Sequence, residues 1–445
     1  YTVTFELAGF QTIRREGLRV DAGFVATLDI RLSLGDVKET VTVTGESPTV
    51  DVRTTSVSTN FTKEVLETAP TSRTMWQILA LSPGIRTGGQ PDVGGSQTGT
   101  QSGWTNYGSS GGGNRPTLDG IDTREVTTAA GFYYDFGAFE EVQIKGMGND
   151  AEMALSGTNF VGIIKSGGNT FHGGGLFQWE TPRLQSNNIN DALRAKGVSK
   201  GNPLKRYFDF NADLGGRIVR DKLWFYGGAR QQNITTGLIG YSRTAGPDGV
   251  FGTADDEPGE YVNQLTNYTG KITAQPTSRH KFQTFYQYNR KLYPERDGSA
   301  YTPAESTIRN ELLPYAGKGE WTWIASDRSL VNFLVGRAYF RANWTMAYPG
   351  SGPAKYDTVT LRNSGVSTTH HHSDRSRWQY TASFSHYNPD LWGGSHDFKV
   401  GFEFTREYYL QERPSRGADG DYQLQFQRGV PYRIVTYNRP TLDIS

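Results

Sequence analysis

The feature that most restricts this chain is a two-residue alternation that returns, segment after segment, from about residue 169 onward. Phe208, Phe210, Ala212, Leu214 and Ile218 interleave with Tyr207, Asp209, Asn211 and Asp213. Phe282, Tyr286 and Tyr288 interleave with Lys281, Gln283, Gln287 and Asn289; Trp378, Tyr380, Ala382 and Phe384 with Arg377, Gln379, Thr381 and Ser383. Phe398, Val400, Phe402 and Phe404 do the same with Asp397, Lys399, Gly401 and Glu403. Successive side chains of a strand point to opposite faces, so each segment is a strand with one apolar and one polar face. The spacing predicts about ten strands of roughly 10 to 15 residues.

The connections alternate as well. Short turns are expected at Val219-Arg220-Asp221, Gln275-Pro276-Thr277-Ser278, Ala325-Ser326-Asp327 and Asn388-Pro389-Asp390. Between them lie polar stretches of roughly 15 to 30 residues, around 182–205, 236–261, 294–309, 344–373 and 410–429. Two architectures bury such strands: a sandwich, which covers the apolar face with a second sheet, and a membrane barrel, which gives it to lipid. The polar faces favour the barrel, because they carry Asp, Glu, Lys, Arg, Gln and Asn almost throughout, as a wet lumen requires. Aromatic residues gather near strand ends, at Trp224-Phe225-Tyr226, Trp321, Trp323 and Tyr408-Tyr409, where a lipid boundary suits a ring with a polar tip.

Composition narrows the choice further. With 54 Gly, 24 Tyr, 23 Phe and 9 Trp in 445 residues, the chain reads as turn-rich and all-β. No Cys is present, which removes disulfides, thiolate metal sites and cysteine nucleophiles together. Lys and Arg number 46 against 45 Asp and Glu, so a basic nucleic-acid surface is not expected. No apolar run approaches the roughly 20 residues of a membrane helix. The chain opens on Tyr1 inside a strand pattern, and sequence ahead of it is expected.

Four regions follow. Residues 1–35 alternate like the end of a small β-sandwich, and 36–60 read as a linker holding one β-prone segment, Glu39-Thr40-Val41-Thr42-Val43-Thr44-Gly45, which is expected to stand unpaired, the alternative being the last strand of the sandwich. Residues 61–168 mix helix and loop signals: a helix of about ten residues is expected over Thr71 to Leu81, stopped by Ser82-Pro83-Gly84. The Gly/Ser/Thr/Gln-rich tract 88–113 is too polar for a core and should line a cavity. Residues 169–445 form the strands.

Five segments in register resemble the TonB-dependent outer-membrane receptors, in particular the Oar-like branch with an N-terminal carboxypeptidase-regulatory-like domain. They are Glu39 to Gly45, Met75-Trp76-Gln77-Ile78-Leu79-Ala80-Leu81-Ser82-Pro83-Gly84-Ile85, Thr117-Leu118-Asp119-Gly120-Ile121-Asp122, Phe139-Glu140-Glu141-Val142-Gln143-Ile144, and Ile164-Lys165-Ser166-Gly167-Gly168-Asn169-Thr170-Phe171-His172-Gly173. Leu214-Gly215-Gly216-Arg217-Ile218 and Asp221-Lys222-Leu223-Trp224-Phe225-Tyr226 resemble two of the family's barrel strands. The resemblance implies a mainly β fold: a transmembrane antiparallel β-barrel, here partial, with an α+β N-terminal plug at 61–168 and the end of a small β-sandwich at 1–35. The family's barrels have about 22 strands around a plug. Ten cannot enclose one, so a fragment is expected.

By that resemblance the chain is a Gram-negative outer-membrane transporter that imports an extracellular nutrient by energy-coupled displacement of the plug, without a cofactor and without enzymatic activity. Glu39, Thr40, Val41, Thr42, Val43 and Thr44 are the TonB box, held by the periplasmic domain of TonB through strand addition. Trp104, Asn106, Tyr107, Asn114 and Arg115 are the candidate ligand contacts. Asp248, Asp255, Asp256 and Glu257 cluster hard oxygen ligands in one outer loop and form a weak calcium candidate without EF-hand spacing. His370-His371-His372 followed by Asp374 could bind a transition metal at a loop end, although clustered exposed His more often do nothing specific. Gly108-Ser109-Ser110-Gly111-Gly112 and Gly146-Met147-Gly148-Asn149-Asp150-Ala151 match a nucleophile elbow and a dinucleotide fingerprint in spacing alone, each lacking the required context. The rival from another class is a secreted or surface-anchored β-protein acting as an adhesin or glycan-binding module.

Overall fold

The computed structural model describes residues 2–7, 10–18, 28, 30–33, 40–44, 57–88, 99, 103–107, 111–127, 131–148, 153, 157–198, 200–413, 421–437 and 442–444. Three strands come first: β1 (Val3–Phe5), β2 (Thr12–Glu16) and β3 (Thr40–Thr44), in the order β1-β2-β3. β1 lies antiparallel to β2, while β3 runs parallel to it, with Thr40 opposite Thr12 and Thr44 opposite Glu16. The expectation of an unpaired segment at 39–44 is therefore corrected for 40–44; Glu39 lies outside the described residues. Alternating Thr and Val is strongly β-prone, and such a segment takes the nearest open sheet edge.

A second unit follows, with β4 (Val57–Thr62), α1 (Lys63–Thr68), α2 (Met75–Ala80), β5 (Ile85–Thr87), β6 (Trp104–Asn106), β7 (Arg115–Leu118), β8 (Ile121–Asp122), β9 (Phe139–Met147) and β10 (Asn159–Ile164). Its main sheet has the order β4-β9-β10-β7-β8, and β5 pairs with β6. The expected ten-residue helix is shorter: Thr74 is its N-cap and Leu81 its C-cap, leaving six helical residues before Gly84 turns the chain at φ +76°. Ile78, Leu79, Leu118, Val142, Phe160 and Ile164 are fully buried in its core. The Tyr134 ring stacks on Phe160 at 5.4 Å and tilts against Phe139 at 5.7 Å. Most of the 88–113 tract lies outside the described residues.

The remaining elements are β11 (His172–Glu180), α3 (Asp191–Ala195), β12 (Leu204–Val219), β13 (Leu223–Thr244), β14 (Glu257–Thr277), β15 (His280–Arg296), β16 (Ile308–Ser326), β17 (Ser329–Met346), β18 (Lys355–Asp357), β19 (Asn363–Ser364), β20 (His371–Leu391), β21 (Gly394–Glu412), β22 (Tyr422–Gln427), β23 (Val430–Thr436) and β24 (Leu442–Ile444). Ten of them form one sheet in the order β11-β12-β13-β14-β15-β16-β17-β20-β21-β24, every pair antiparallel. Its strands outrun the sequence expectation, reaching 22 residues in β13. About 9 to 11 residues cross a bilayer, so the excess projects beyond the lipid.

Two details of the connections are corrections. The turn expected at Asn388-Pro389-Asp390 lies instead at Trp392-Gly393, with φ of +54° and +80°, and β20 continues through 388–390 with a register shift before the turn. The stretches 344–373 and 410–429 are not plain loops either. They contribute β18 and β19, and β22, to a four-stranded sheet of order β19-β18-β22-β23, in which β18 and β22 pair in parallel. Tyr356 and Phe426 belong to pairing segments that are too short to register as periodic in sequence.

The alternation sorts as expected. Phe210, Leu214, Ile218, Phe282, Tyr286, Phe333, Phe384 and Phe404 are exposed on the outward face, with Phe402 at 66%. Asp209, Asn211, Arg230, Gln232, Gln287, Asn289, Arg377 and Gln379 are buried on the other face, against the second unit. Trp321 and Trp323 stack with His280 beside the short turn at 327–328, forming one aromatic belt. Among the described residues no helix is long and apolar enough to cross a membrane.

Candidate functional site

The site is the seam where the unit at 57–164 meets the inner face of the large sheet. It begins with the segment Thr117 to Asp122. A turn between β7 and β8 places Asp119 at φ +47° and Gly120 at φ +89°, a conformation that glycine takes at little steric cost. Asp119 Oδ1 then accepts the Ile164 N–H at 3.0 Å, and its Oδ2 pairs with Lys271 Nζ of β14 at 2.7 Å. Lys271 also donates to the Ile164 carbonyl at 2.9 Å. Nearby, Lys165 pairs with Asp213 of β12 at 2.7 Å.

A second cluster surrounds Asp209 of β12. Arg230 of β13 holds this carboxylate with two bonds, 2.8 and 2.6 Å, and Arg73 approaches it at 3.9 Å. The same Arg230 donates to the Arg73 carbonyl at 3.2 Å, and Asn267 of β14 donates to the Tyr133 carbonyl at 2.6 Å. Asp135 accepts from Gly137 N, Asn211 and Thr269, each at 3.2 Å. Burial pushes the Asp135 carboxyl above its ordinary range, opposed by Arg230, by the Thr269 hydroxyl and by Arg73. Burial, with the charge of Arg230, lowers the Arg73 guanidinium.

The third cluster reaches β20 and β21. Arg115 pairs with Asp122 at 3.4 Å and with Glu403 at 2.7 Å. Arg377 pairs with Asp122 at 2.9 Å and with Glu407 at 2.6 Å, and it donates to the Arg124 carbonyl at 2.7 Å. Gln379 completes the row by accepting the Asp122 N–H and donating to the Gly120 carbonyl, both at 3.0 Å. Arg375 pairs with Glu125. Apolar contact crosses the seam as well: Tyr226, Leu265, Phe285, Ala316, Leu334, Ala338 and Phe340 of the sheet share one buried cluster with the core of the 57–164 unit, with Phe132 edge-on to Phe340 and Ile121 over Gly336.

The candidate ligand residues fall elsewhere in this frame. Trp104, Asn106, Asn114 and Arg115 are buried, and only Tyr107 is exposed. Asn114 ties Trp104 to Thr158 by donating to the Trp104 carbonyl at 2.8 Å and accepting the Thr158 N–H at 3.0 Å. Asn106 donates to the Gly146 carbonyl. Arg115 is spent on the sheet. Tyr107 borders an open cleft of about 570 Å³ with Gly84, Ile85, Arg86 and Thr105. Sequence reasoning missed Arg73, Asp135, Lys165, Asp209, Asp213, Arg230, Lys271 and Glu403 as members of one seam; polar residues on inward strand positions were the available signal.

The acidic loop is closed by its own donors. Asp255 Oδ1 accepts from the Thr253 hydroxyl at 2.6 Å, and Asp256 Oδ2 from the Gly252 N–H at 2.6 Å. The Ser242 hydroxyl, helped by the Gly252 and Gly246 N–H groups, holds Asp256 down to about 2. Asp248 caps the Val250 N–H at 2.8 Å and Glu257 accepts from Thr244 at 3.3 Å. Among the described residues no group of three or more His, Cys, Asp or Glu is arranged to hold a metal ion. Residues 108–110 and 149–152 lie outside the described residues.

No family model matches the chain. It is 26% identical over 302 residues to the TonB-dependent transporter Oar of Myxococcus xanthus, covering 61% of this chain and 27% of that protein. Its fold resembles the outer membrane transporter YddB from Escherichia coli, with a TM-score of 0.65 at 13% identity over 87% of this chain and 52% of the other. It also resembles the siderophore receptor PirA from Acinetobacter baumannii (TM-score 0.53, 12% identity, 80% and 48% covered). The ferric enterobactin receptor PfeA from Pseudomonas aeruginosa gives a TM-score of 0.55 at 13% identity, with 87% and 54% covered. The chain thus spans about a quarter of the curated relative and about half of each solved structure. These relatives are transporters and receptors rather than enzymes. In sequence the chain is thus similar to the TonB-dependent transporter Oar, and in fold to outer-membrane transporters and receptors.

Proposed function

We propose that the unit at 61–168 is a plug, and that this receptor captures an extracellular nutrient and admits it when TonB displaces part of that plug. The observation that carries the reading is the seam itself. Beside an apolar patch it carries a row of ion pairs and hydrogen bonds, such as Arg115 with Glu403 and Lys165 with Asp213. Buried ion pairs are weak net stabilisers, because desolvation offsets much of their attraction. Polar contacts also exchange for water with little loss, so such a surface yields to modest force where an apolar one would not. Gln232 Oε1, Gln287 Nε2 and Asn310 Nδ2 on the lumen face have no protein partner among the described residues, which suits a solvated lumen.

TonB would engage the segment 39–44. Its pairing with β2 leaves the far edge of β3 without a strand among the described residues, and a strand of TonB can add there or replace β2. The domain reading is then 1–35 as the end of a β-sandwich, 36–60 as the coupling linker, whose β3 joins the first sheet and whose last residues begin β4 of the plug sheet, and 169–445 as the barrel strands. Nutrient contact falls to Tyr107 and its cleft and to the outer sheet β19-β18-β22-β23, with no nucleic acid and no cofactor involved. Deleting residues 40–44 should abolish uptake of the nutrient that a deletion strain fails to use, while surface binding persists. Unimpaired uptake would remove the coupling role.

A further inference from the structure

A buried lysine without a counter-charge stands where the 57–164 unit meets the wall of the large sheet. Lys291 of β15 is 6% exposed, and among the described residues no carboxylate pairs with it. Its Nζ donates to the Tyr133 hydroxyl at 2.6 Å and lies over the rings of Tyr133 at 4.6 Å and Tyr293 at 4.7 Å. Leu265 and Leu312 are its cross-strand neighbours. The charge it feels is that of Arg296, a second cation. The two carboxylates that flank Arg296 in sequence are engaged elsewhere: Asp297 meets Arg296 itself at 3.4 Å in an exposed pair, and Glu295 accepts the hydroxyls of Tyr241 and Tyr348. Ring faces compensate an ammonium only in part, so a buried cation with no anion is costly.

The free polar groups beside the two cations share one sign. Asn289 lies two positions before Lys291 on the same face; its Oδ1 accepts the Asn267 amide at 2.6 Å, and its Nδ2 has no partner. Asn310 of β16 accepts from Arg296 at 3.5 Å on Oδ1, and its Nδ2 is likewise unpartnered. Gln287, two positions farther down, has an unpartnered Nε2. None of the three is more than 1% exposed. With the asparagine oxygens occupied, what remains free there is donors. Phe282 of the same strand lies opposite Trp321 of the short-turn belt, and Lys291 is nine positions beyond it. At about 3.3 Å per residue and a tilt of about 40°, Lys291 stands roughly 23 Å above the belt, at the outer end of the lumen.

We propose that this cluster seats an anionic oxygen group of the nutrient, a carboxylate or a phosphate. Lys291 and Arg296 supply the charge, and Asn289 and Asn310 supply neutral donors. The inference rests on the receptor reading and adds that the cargo is an acid. A charged acceptor binds an ammonium more strongly than a neutral hydroxyl does, so an entering anion takes the place of the Tyr133 hydroxyl. The Tyr133 carbonyl is held by Asn267, and the exchange can proceed by rotation of the ring alone. That ring packs on Trp76 of α2 at 6.2 Å, which ties the site to the plug core.

The test titrates the detergent-purified receptor calorimetrically, in chloride-free buffer, with citrate, with inorganic phosphate and with glycerol as a neutral polyol. Wild type should bind citrate or phosphate saturably and leave glycerol unbound. Lys291→Met keeps the length of the side chain, removes its charge and should weaken anion binding at least about tenfold, the scale of one charge-assisted bond. Lys291→Arg should recover most of that loss, and Asn310→Leu should cost about threefold. Heat-modifiable migration reports the folding of each variant. The site lies apart from residues 40–44, so uptake that survives their deletion would remove the coupling role and leave this binding untouched. Absence of saturable binding of either anion, equal binding of glycerol, or an unchanged affinity in a folded Lys291→Met would overturn the proposal. If that variant does not fold, Arg296→Gln and Asn310→Leu decide: weaker binding in either supports the site, and unchanged affinity in both removes it.

Discussion

The two faces of the large sheet share one backbone and one alternation, yet they solve opposite problems. On β17 the inward positions Leu334, Ala338 and Phe340 are buried against the plug unit, while outward Phe333 is 44% exposed. On β12 and β13 the inward positions Asp209 and Arg230 are more deeply buried than any outward phenylalanine, and they are charged. In a water-soluble protein the charged row would be outermost. Here polarity is inverted because the outer medium is hydrocarbon and the inner one is protein and water. Burial alone therefore does not report hydrophobicity in this chain.

The largest test of that inversion is Asp209→Ala. It removes the carboxylate that Arg230 holds with two bonds, leaving the buried Arg230 and Arg73 facing only the charge of Asp135, and should cost about 3–5 kcal/mol. Denaturant-dependent loss of heat-modifiable migration would measure it, and a cost below about 1 kcal/mol would show that the inner face is wet enough to screen the pair. On the outer face, Val335→Arg places a charge near mid-depth and should cost about 2–4 kcal/mol in lipid vesicles. Val335→Leu at the same place should cost almost nothing.

Two glycines sharpen the contrast with minimal chemistry. An added Cβ at inward Gly336 would meet Ile121 Cδ1 at 2.1 Å and the Gly317 carbonyl at 2.9 Å, whereas at Gly270 it meets nothing within 4 Å. Gly336→Ala should destabilise plug docking by about 1–3 kcal/mol, and Gly270→Ala should fall within about 0.5 kcal/mol of wild type. Limited proteolysis of the plug in folded receptor reads the first effect directly.

The smallest expected effect concerns pH. Burial raises the folded-state pKa of Asp135 above its ordinary 3.8. A raised carboxyl stabilises the fold fully below that ordinary value, and the contribution is lost as pH rises through the folded value. Wild type should thus gain on Asp135→Asn as pH falls from neutral toward about 4. Parallel pH profiles for the two proteins would mean that Arg230 and the three hydrogen bonds outweigh burial at this carboxylate.

Legibility differed between fold and site for a physical reason. Strand positions, the two faces and the approximate strand number could be read because a period of two is a local property of consecutive residues. Short elements such as β18 and β22 carry too few residues for a period, and their pairing joins segments nearly 70 positions apart. The turn at Trp392-Gly393 escaped because Pro389 is the stronger turn signal, yet it is accommodated at a register shift.

The site was less legible still. Trp104, Asn106 and Asn114 stand out in sequence as polar and aromatic residues in a loop-rich tract, but their hydrogen bonds brace the 57–164 unit internally. Arg115 stands in the same tract and meets Glu403, 288 residues away. The segment 40–44 was recognisable as β-prone, while its partner β2 depended on which edge lay within reach.

What the sequence alone determined is which side of each strand faces lipid, since alternation and composition fix that residue by residue. What only the tertiary structure decided is which charge neutralises which. Asp119 with Lys271, Asp209 with Arg230 and Asp122 with Arg377 depend on strand register and on the depth at which the plug sits. Charges act through distance in space, and position along the chain does not fix that distance until the strands are paired.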